Sequence, residues 1–360
     1  MASFNEVCID LTKTAKKIPQ SDYLISGKYK IFDQGKDYIG GYTNDNTGIV
    51  EAYPYIVFGD HTRIIKFVDE PCFIGADGVK LLKVYNSLFL PKYVYYSLVA
   101  NPIVSSGYSR HFKYLKEQSI RDCSIDEQKR IITELETNEK AISIKKESLS
   151  SLDELVKSRF IELFGGIHYS KKYPYIAVKE LTEVISGGTP SRDVSEYWKE
   201  GTIPWIKTTE LHNNVITKSE EYITEKGLNN SSAKIVPAGT VLIAMYGQGK
   251  TRGMTAYSEI KACTNQACAC ILPSDKINQK FLWYFFILSY DNLRDLAKGG
   301  NQPNLNGNMI KTYPILYPPR ELQERFAAFV KKIDKSKFIV QQQIKDLQEL
   351  LDSKMDEYFR

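Results

Sequence analysis

Apolar residues recur with helical spacing along two long stretches of the chain, which predicts two long helices. The stretches span residues 124–164 and 319–360, and their apolar positions share one heptad register. Stripes of this length without helix breakers are typical of a coiled coil, and packing of each helix on its own globular part is the alternative. The predicted coiled-coil positions are Leu135, Ile142, Leu149, Leu152, Val156, Val330, Ile333, Val340, Ile344, Leu347 and Leu351.

Sequence signals at the ends of both stretches support the two helices. Ser124 and Glu127 have the spacing of a capping box, in which each side chain satisfies a free backbone amide of the first turn. The glycines at 165–166 supply the end of the first helix. The prolines at 318–319, which are tolerated at a helix entrance, precede the second helix.

The chain contains an internal repeat. Residues 120–164 align without a gap on residues 315–359, an offset of 195, and 11 of the 45 aligned positions are identical. The offset falls to 188 upstream, where residues 89–96 and 58–60 find their counterparts, and to 174 for residues 4–7. Insertions in one copy change the offset in such steps, so the chain is a duplication in which the helices have changed less than the rest.

The rest of each half has the pattern of short strands with few helices. Residues 55–58 and 241–245 are apolar runs of strand length followed by loops that contain glycine. Residues 89–100 and 277–290 have amphipathic helical spacing. The expected fold is therefore mixed α+β.

The repeat divides the chain into four segments. These are a strand-rich globular part at 1–123, a helix at 124–164, a second globular part at 165–318 and a helix at 319–360. A pseudo-twofold relation between the halves would make the helices an antiparallel coiled coil with one globular part at each end.

Composition restricts the class of protein. The 360 residues are 42% apolar and 25% charged, which excludes a wholly disordered chain. The longest apolar run, 281–288, is too short to span a bilayer, and the first residues lack the features of a secretory signal. Six cysteines are too few for a disulfide scaffold. We expect a cytoplasmic protein with no membrane partner, and its net charge of +5 permits a polyanionic one.

Loops between the predicted strands carry basic, hydroxyl and amide side chains. Arg and Lys suit guanine and phosphate, and hydroxyl and amide groups suit other base edges. A solvated basic turn is the simpler explanation for any single one of them. The predicted DNA-binding residues are Gln34, Lys36, His61, Thr62, Arg63, Lys66, Thr189, Ser191, Arg192, Lys207, Thr208, Lys250, Thr251 and Arg252.

One of these loops also matches a phosphate-binding loop. Residues Gly247–Thr251 contain its Gly-Lys-Thr, with Ala244 in place of the first glycine. A working loop of that kind needs a helix directly behind it, and residues 252–257 are poor helix formers. A turn between two strands is favoured, and a nucleotide-binding enzyme that uses this loop is the alternative.

Other chemistry is not indicated by the sequence. Cys263, Cys268 and Cys270 lack common zinc spacing and suit buried thiols, and the four histidines are scattered. No metal site and no catalytic residue is predicted, and we expect the chain to catalyse nothing alone.

Several short motifs, in a fixed order and combined with the duplicated helix, resemble the specificity subunits of type I restriction-modification systems. The resemblance covers essentially the whole chain. The motifs lie at 185–191 (Ile-Ser-Gly-Gly-Thr-Pro-Ser), 203–207 (Ile-Pro-Trp-Ile-Lys), 239–247, 264–267, 53–62 and 75–78.

The resemblance implies a function for each part. The globular parts would be two target recognition domains, each reading one half of a bipartite, asymmetric site in double-stranded DNA. The helices would space them and dock two modification (methyltransferase) subunits, which restriction (motor and nuclease) subunits would join. Those partners would bind S-adenosylmethionine, ATP and Mg, and this chain would bind no cofactor. The specificity subunit of a related type II-like methylation system is a further alternative.

Overall fold

The chain divides into two units, each of which combines a globular part with one half of each long helix. The computed structural model describes residues 1–51, 53–104, 107, 109–167, 170–247, 249–297 and 304–360. Unit 1 consists of Met1–Ser148 and Val340–Arg360, and unit 2 of Leu149–Ile339.

Short strands and few helices make up both globular parts. As far as residue 164 the elements are β1 (Ala2–Ser3), α1 (Phe4–Val7), β2 (Cys8–Asp10), β3 (Lys17–Ile18), β4 (Tyr29–Phe32), β5 (Gly41–Thr43), β6 (Tyr55–Gly59), β7 (Ile65–Val68), β8 (Cys72–Gly75), β9 (Val79–Val84), α2 (Pro91–Ala100), α3 (Phe112–Leu115), β10 (Ser119–Ile120) and α4 (Ile125–Phe164). Beyond it they are β11 (Tyr175–Ala177), α5 (Val178–Leu181), β12 (Val184–Ser186), β13 (Ile203–Ile206), β14 (Asn214–Ile216), β15 (Glu221–Ile223), α6 (Glu225–Asn229), β16 (Val241–Ala244), β17 (Thr255–Ser258), β18 (Cys263–Thr264), β19 (Cys268–Ile271), α7 (Gln279–Leu288), α8 (Tyr290–Leu296), α9 (Gly307–Thr312), β20 (Pro314–Leu316) and α10 (Arg320–Phe359).

A four-stranded sheet in the order β2-β9-β6-β7 forms the centre of unit 1. Its strand β6 is buried on both faces, which explains its continuous apolar sequence. Ile56 and Phe58 face a core that also contains α2 and the first turns of α4. Tyr55 and Val57 face a core shared with a second sheet of order β3-β8-β4-β5.

Unit 2 repeats this plan with one more strand in its main sheet. The order is β12-β19-β16-β17-β14, with a smaller sheet β15-β13-β18 beside it. Val241 and Ile243 of β16 face a core that contains α7 and parts of both long helices, and Leu242 and Ala244 face the other way. In both units a two-stranded ladder, β1–β10 or β11–β20, ties the start of the globular part to the segment before a long helix.

A lysine in the first turn of a helix covers an aromatic ring of the sheet in each unit. The ammonium of Lys92 in α2 lies 4.5 Å from the ring centre of Phe67, and that of Lys280 in α7 lies 3.8 Å from the ring centre of Tyr257. The two lysines are 280 − 92 = 188 residues apart, the predicted offset for these helices. Phe67 therefore corresponds to Tyr257.

The strand ladders correct one alignment of the repeat. Ile56 is the ladder partner of Phe67, and Val241 is the ladder partner of Tyr257. Ile56 therefore corresponds to Val241, an offset of 241 − 56 = 185. The predicted alignment of residues 58–60 at an offset of 188 is wrong, because the loops on either side of this strand differ in length between the halves.

The two long helices pack against each other and run antiparallel. In unit 1 the Tyr358 hydroxyl near the end of α10 donates a 2.6 Å hydrogen bond to Glu134 near the start of α4. In unit 2 Lys337, in the first half of α10, pairs with Asp153, in the second half of α4. The predicted α+β class with an antiparallel helical pair is confirmed. The packing of helices on globular parts, which was the alternative, occurs as well, because the core of each unit includes residues of the long helices.

None of the eleven predicted coiled-coil positions, all of which the structure describes, is exposed. Leu149, Leu152, Val340, Ile344, Leu347 and Leu351 are half-buried, and the buried ones are Leu135, Ile142, Val156, Val330 and Ile333. Their energetic contribution to helix pairing stays a prediction.

A buried glutamine clamps each long helix to its globular part in the same way. Gln128 is fully buried, and its side-chain carbonyl accepts a 2.8 Å bond from the amide of Leu90, the residue before α2. Gln323 accepts a bond of the same length from Asn278, the residue before α7. Each side-chain amide donates to the carbonyl five residues earlier, at 3.0 and 2.8 Å. The clamp is therefore a duplicated feature that fixes the start of both helices.

A tyrosine–carboxylate pair repeats about three turns further along each long helix. The Tyr96 hydroxyl donates to Glu139 at 2.6 Å, and the Tyr284 hydroxyl donates to Asp334 at 2.9 Å. Burial, reinforced by the neighbouring carboxylate, raises the pKa of both tyrosines well above its ordinary value. Both hydroxyls therefore stay protonated donors and join α2 to α4 and α7 to α10.

Candidate nucleic-acid interface

The six predicted DNA contacts of unit 1 come together around the hairpin loop between β6 and β7. The Thr62 hydroxyl donates a 2.7 Å bond to the main-chain carbonyl of Gln34, and the amide of His61 donates to the Gln34 side chain at 3.4 Å. Arg63 adopts a left-handed backbone conformation, with φ of +64°, which closes the tight turn. The loop after β4 and the β6–β7 loop thus form one surface.

A buried carboxylate supports this surface from below. Asp60 is 4% exposed, and its carboxylate accepts a 2.8 Å bond from the amide of Phe112 at the start of α3. The guanidinium of Arg63 donates to the carbonyl of Ile103 at 3.2 Å, so this arginine reaches back over the unit and remains half-buried.

Two of the predicted DNA contacts lie inside the units. Lys66 is only 4% exposed, and its ammonium donates to the carbonyl of Asp37 at 2.6 Å and lies 3.4 Å from the carboxylate of Asp33. Thr208 is 8% exposed in a short helical turn. A buried side chain cannot reach a duplex, so both predictions are corrected and neither residue belongs to the candidate interface. Lys36, on the loop after β4, is exposed.

The loop of unit 2 between β16 and β17 carries Lys250, Thr251 and Arg252. Lys250 is exposed, whereas Thr251 and Arg252 are half-buried. Two side chains of α8 hold its backbone. The Tyr290 hydroxyl donates to the carbonyl of Lys250 at 2.7 Å, and Arg294 donates to the carbonyl of Arg252 at 3.0 Å.

This loop joins antiparallel strands, since β16 pairs with β17. Among its described residues none opens a helix, so the arrangement that a phosphate-binding loop needs does not follow Gly247. Gln248 of this loop lies outside the described residues. The predicted turn between two strands is confirmed.

Three of the remaining candidates of unit 2, Thr189, Ser191 and Arg192, lie on a loop, residues 187–192, that follows β12, whereas Lys207 follows β13. Two indole N–H groups fix this loop, since Trp205 donates to the carbonyl of Gly188 at 2.9 Å and Trp198 donates to that of Ser191 at 3.0 Å. The Thr189 hydroxyl donates to the side chain of Gln266. The carbonyl of the next residue, Ala267, accepts a 2.8 Å bond from the amide of Met245, the first residue of the β16–β17 loop. One turn therefore links the two candidate loops.

Arg192 and Lys207 share a single carboxylate. Glu221, the first residue of β15, lies 2.6 Å from the guanidinium of Arg192 and 2.9 Å from the ammonium of Lys207. Glu220 lies 3.1 Å from the same ammonium. Burial opposes ionisation of Glu221, but the bonds from Arg192 and Lys207 hold its pKa below the usual value. The bonds to Glu221 and Glu220 raise the pKa of Lys207.

Three residues that build this interface were not predicted from the sequence. Trp198 carries the guanidinium of Arg192 on its ring face, 3.6 Å from the ring centre, Glu221 pairs with it, and Arg294 supports the β16–β17 loop. Glu221 and Arg294 are distant in sequence from the residues they hold, and no local pattern connects them. The short spacing of Trp198 from Arg192 is the one signal that a search for cation–aromatic pairs could have used.

The cysteines of unit 2 are placed as buried thiols. Cys263, Cys268 and Cys270 are fully buried, and burial raises the pKa of Cys263 to about 11. Within the described part of the chain, no group of three or more His, Cys, Asp or Glu side chains is arranged to hold a metal ion. In the same residues, no helix has the length and apolar character needed to cross a bilayer.

Comparison with known proteins identifies the family. The family model described as the type I restriction modification DNA specificity domain matches residues 171–349, about half of the chain. The chain belongs to this family. It is a specificity subunit, the non-catalytic component of a type I restriction enzyme, and catalysis lies in other subunits.

Relatives of this specificity subunit extend the likeness to its whole length. The specificity subunit of the type I restriction enzyme EcoR124I/EcoR124II from Escherichia coli is 26% identical over 88% of this chain and 82% of its own. The MjaIX specificity subunit from Methanocaldococcus jannaschii is 33% identical over 44% of this chain and 37% of its own. The crystal structure of a type I S subunit from M. genitalium has the same fold, with a TM-score of 0.61 and 16% identity over 99% of this chain and 95% of that one.

Proposed function

We propose that each globular part, predicted at 1–123 and 165–318, reads one half of a bipartite, asymmetric site in double-stranded DNA. The observation that carries the proposal is the duplicated sheet with two unlike hairpin loops. The loop between β6 and β7 has five residues, 60–64, whereas the loop between β16 and β17 has ten, 245–254. Two equivalent sheets whose loops present different side chains suit the recognition of two different DNA half-sites.

Twelve of the predicted residues remain candidates for direct contact. Arg and Lys side chains can pair with guanine edges or phosphates, and Gln, Thr and Ser side chains can complete the reading of other bases. The candidates in unit 1 are Gln34, Lys36, His61, Thr62 and Arg63, and those in unit 2 are Thr189, Ser191, Arg192, Lys207, Lys250, Thr251 and Arg252.

The long helices serve as spacer and docking surface in this proposal. Two modification subunits bind them, and restriction subunits join the assembly. S-adenosylmethionine, ATP and Mg are bound by those partners. A complex of this kind works where the chromosome is, so we place it in the cytoplasm.

An exchange of one globular part tests independent reading. Residues 166–318 are replaced by the corresponding segment of another specificity subunit, and the methylated sequence is determined in cells that also carry the partner subunits. We expect one half of the methylated site to change and the other half to remain, because a segment with its own core can be transplanted. The matched exchange of residues 1–123 should change the opposite half. A hybrid that folds and methylates, yet changes both halves, contradicts the proposal.

A further inference from the structure

The candidate interface of unit 2 contains an acidic residue where a DNA-binding surface needs cations. Glu221 pairs with both Arg192 and Lys207, at 2.6 and 2.9 Å. They are two of the three basic side chains among residues 187–208, and the exposed Lys199 is the third. One carboxylate therefore occupies two of the cations that this side offers to a phosphate.

The ion pairs are built into the fold. Glu221 is the ladder partner of Trp205, whose indole holds the 187–192 loop, so the strand pairing that places the carboxylate also places the loop. The guanidinium of Arg192 lies over the ring of Trp198, which restricts it to positions near Glu221. The Glu221 side chain retains 28% of its exposure, so incoming DNA can displace it from either cation.

We propose that Glu221 is a specificity-determining residue that competes with DNA phosphates for Arg192 and Lys207. The inference rests on the proposed function, since it assumes that this loop meets DNA. Phosphates are the same in every sequence, so a carboxylate that occupies the cations lowers affinity for all DNA. Only a cognate half-site supplies base contacts that offset the lost ion pairs. Glu221 thereby widens the ratio of specific to non-specific affinity, as repulsive groups do at other specific interfaces.

The competition has a distinct signature in salt. Each phosphate neutralised by a protein cation releases counterions, which makes affinity fall with salt in proportion to the number of such contacts. Removing the Glu221 charge frees Arg192 for a phosphate and leaves Lys207 paired with Glu220 alone. Non-specific affinity should rise by about three- to tenfold, and its salt dependence should steepen by about one to two ion contacts.

The test measures binding of the full chain, assembled with its modification subunits, to two duplexes. One duplex carries the sequence that the assembly methylates and the other a scrambled version, each over a series of salt concentrations. The variants are Glu221→Gln, which removes the charge and keeps the shape, and Glu221→Asp, which keeps the charge. Glu183→Gln is the matched control, because Glu183 is an exposed glutamate at the opposite end of β12 from the loop.

The expected result is that Glu221→Gln binds the scrambled duplex more tightly and with steeper salt dependence, while cognate affinity changes less. Glu221→Asp and the control should discriminate like the unaltered chain. Unchanged scrambled binding in Glu221→Gln overturns the inference, and so does a loss of cognate binding alone, which would make Glu221 a direct base contact. Failure of the proposed function looks different, because Arg192→Ala would then leave cognate affinity unchanged in every background.

Discussion

Arg63 and Arg252 occupy loops that follow equivalent strands, yet the two units hold them differently. One guanidinium N–H of Arg63 donates to the carbonyl of Ile103, and the backbone of Arg63 itself closes the turn. The backbone of Arg252 is held instead by Arg294. A guanidinium has five donors, so the bond to Ile103 leaves Arg63 with further N–H groups for guanine or phosphate.

Replacement of either arginine by alanine should weaken cognate DNA binding. We expect a loss of about 1–3 kcal/mol for Arg63→Ala and for Arg252→Ala if the lost contact is two-pronged to a base. Binding of the assembled complex to its methylated sequence measures the loss. Arg320→Ala is the control, because Arg320 is exposed on α10 and pairs with Glu324 one turn away. Unchanged affinity in both loop variants would remove these loops from the interface.

Elements are joined by buried polar groups that apolar packing alone cannot replace. Gln323 connects the start of α10 to the residue before α7, and Gln128 does the same for α4 and α2. Each glutamine satisfies a backbone donor and a backbone acceptor at once. Without it, those groups lie in a region that water reaches poorly, at the full cost of their desolvation.

Gln323→Leu should therefore destabilise unit 2 despite adding apolar surface. We expect a loss of about 1–3 kcal/mol in the free energy of unfolding, since an amide and a carbonyl are left without partners. Gln341→Leu, at an exposed position of the same helix, should change it by less than about 0.5 kcal/mol. Denaturant unfolding of the two variants compares them, and equal stability would show that water replaces the clamp.

The sequence predicted elements better than it predicted side-chain roles. A helix of 40 residues repeats one constraint many times, so its extent and buried face follow from periodicity alone. The burial of Lys66 depends on Asp33, a residue 33 positions away, and the role of Glu221 depends on Arg192, 29 positions away. Local patterns do not contain such pairings. The correct alignment of β6 on β16 was missed for a related reason. Only the strand ladders reveal how much the loops on either side of this strand differ in length between the halves.

At the scale of the whole molecule, the antiparallel helices should act as a ruler. Insertion of one heptad after Ser148 and another after Ile339, where the two units divide, keeps the apolar seam in register. Seven residues add about 10 Å of helix, and at about 3.4 Å per base pair this corresponds to roughly three base pairs between half-sites. The extra spacing also turns one half-site by roughly 100° around the duplex, since one turn takes about 10–10.5 base pairs.

The methylation pattern of the lengthened protein on a library of spacer lengths measures the ruler. We expect the preferred spacer to change, or binding to weaken when no spacer satisfies both distance and rotation. Insertion in one helix only is the control, because it breaks the seam and should reduce stability instead. Full activity with the original spacer would show that helix length does not set the separation.

The last turn of α10 affects the order in which the two units can fold. Phe359 packs against Tyr93 with ring centres 5.2 Å apart, and both belong to the core of unit 1. On the ribosome that core stays incomplete until residue 359 has emerged, whereas unit 2 is complete once residue 339 has. The unit encoded second should thus close first, against the usual N-terminal-first sequence of events. Nascent chains that end at residue 339, tethered to the ribosome by a flexible linker long enough to clear the exit tunnel, should show unit 2 protected from protease and the earlier residues still cleavable.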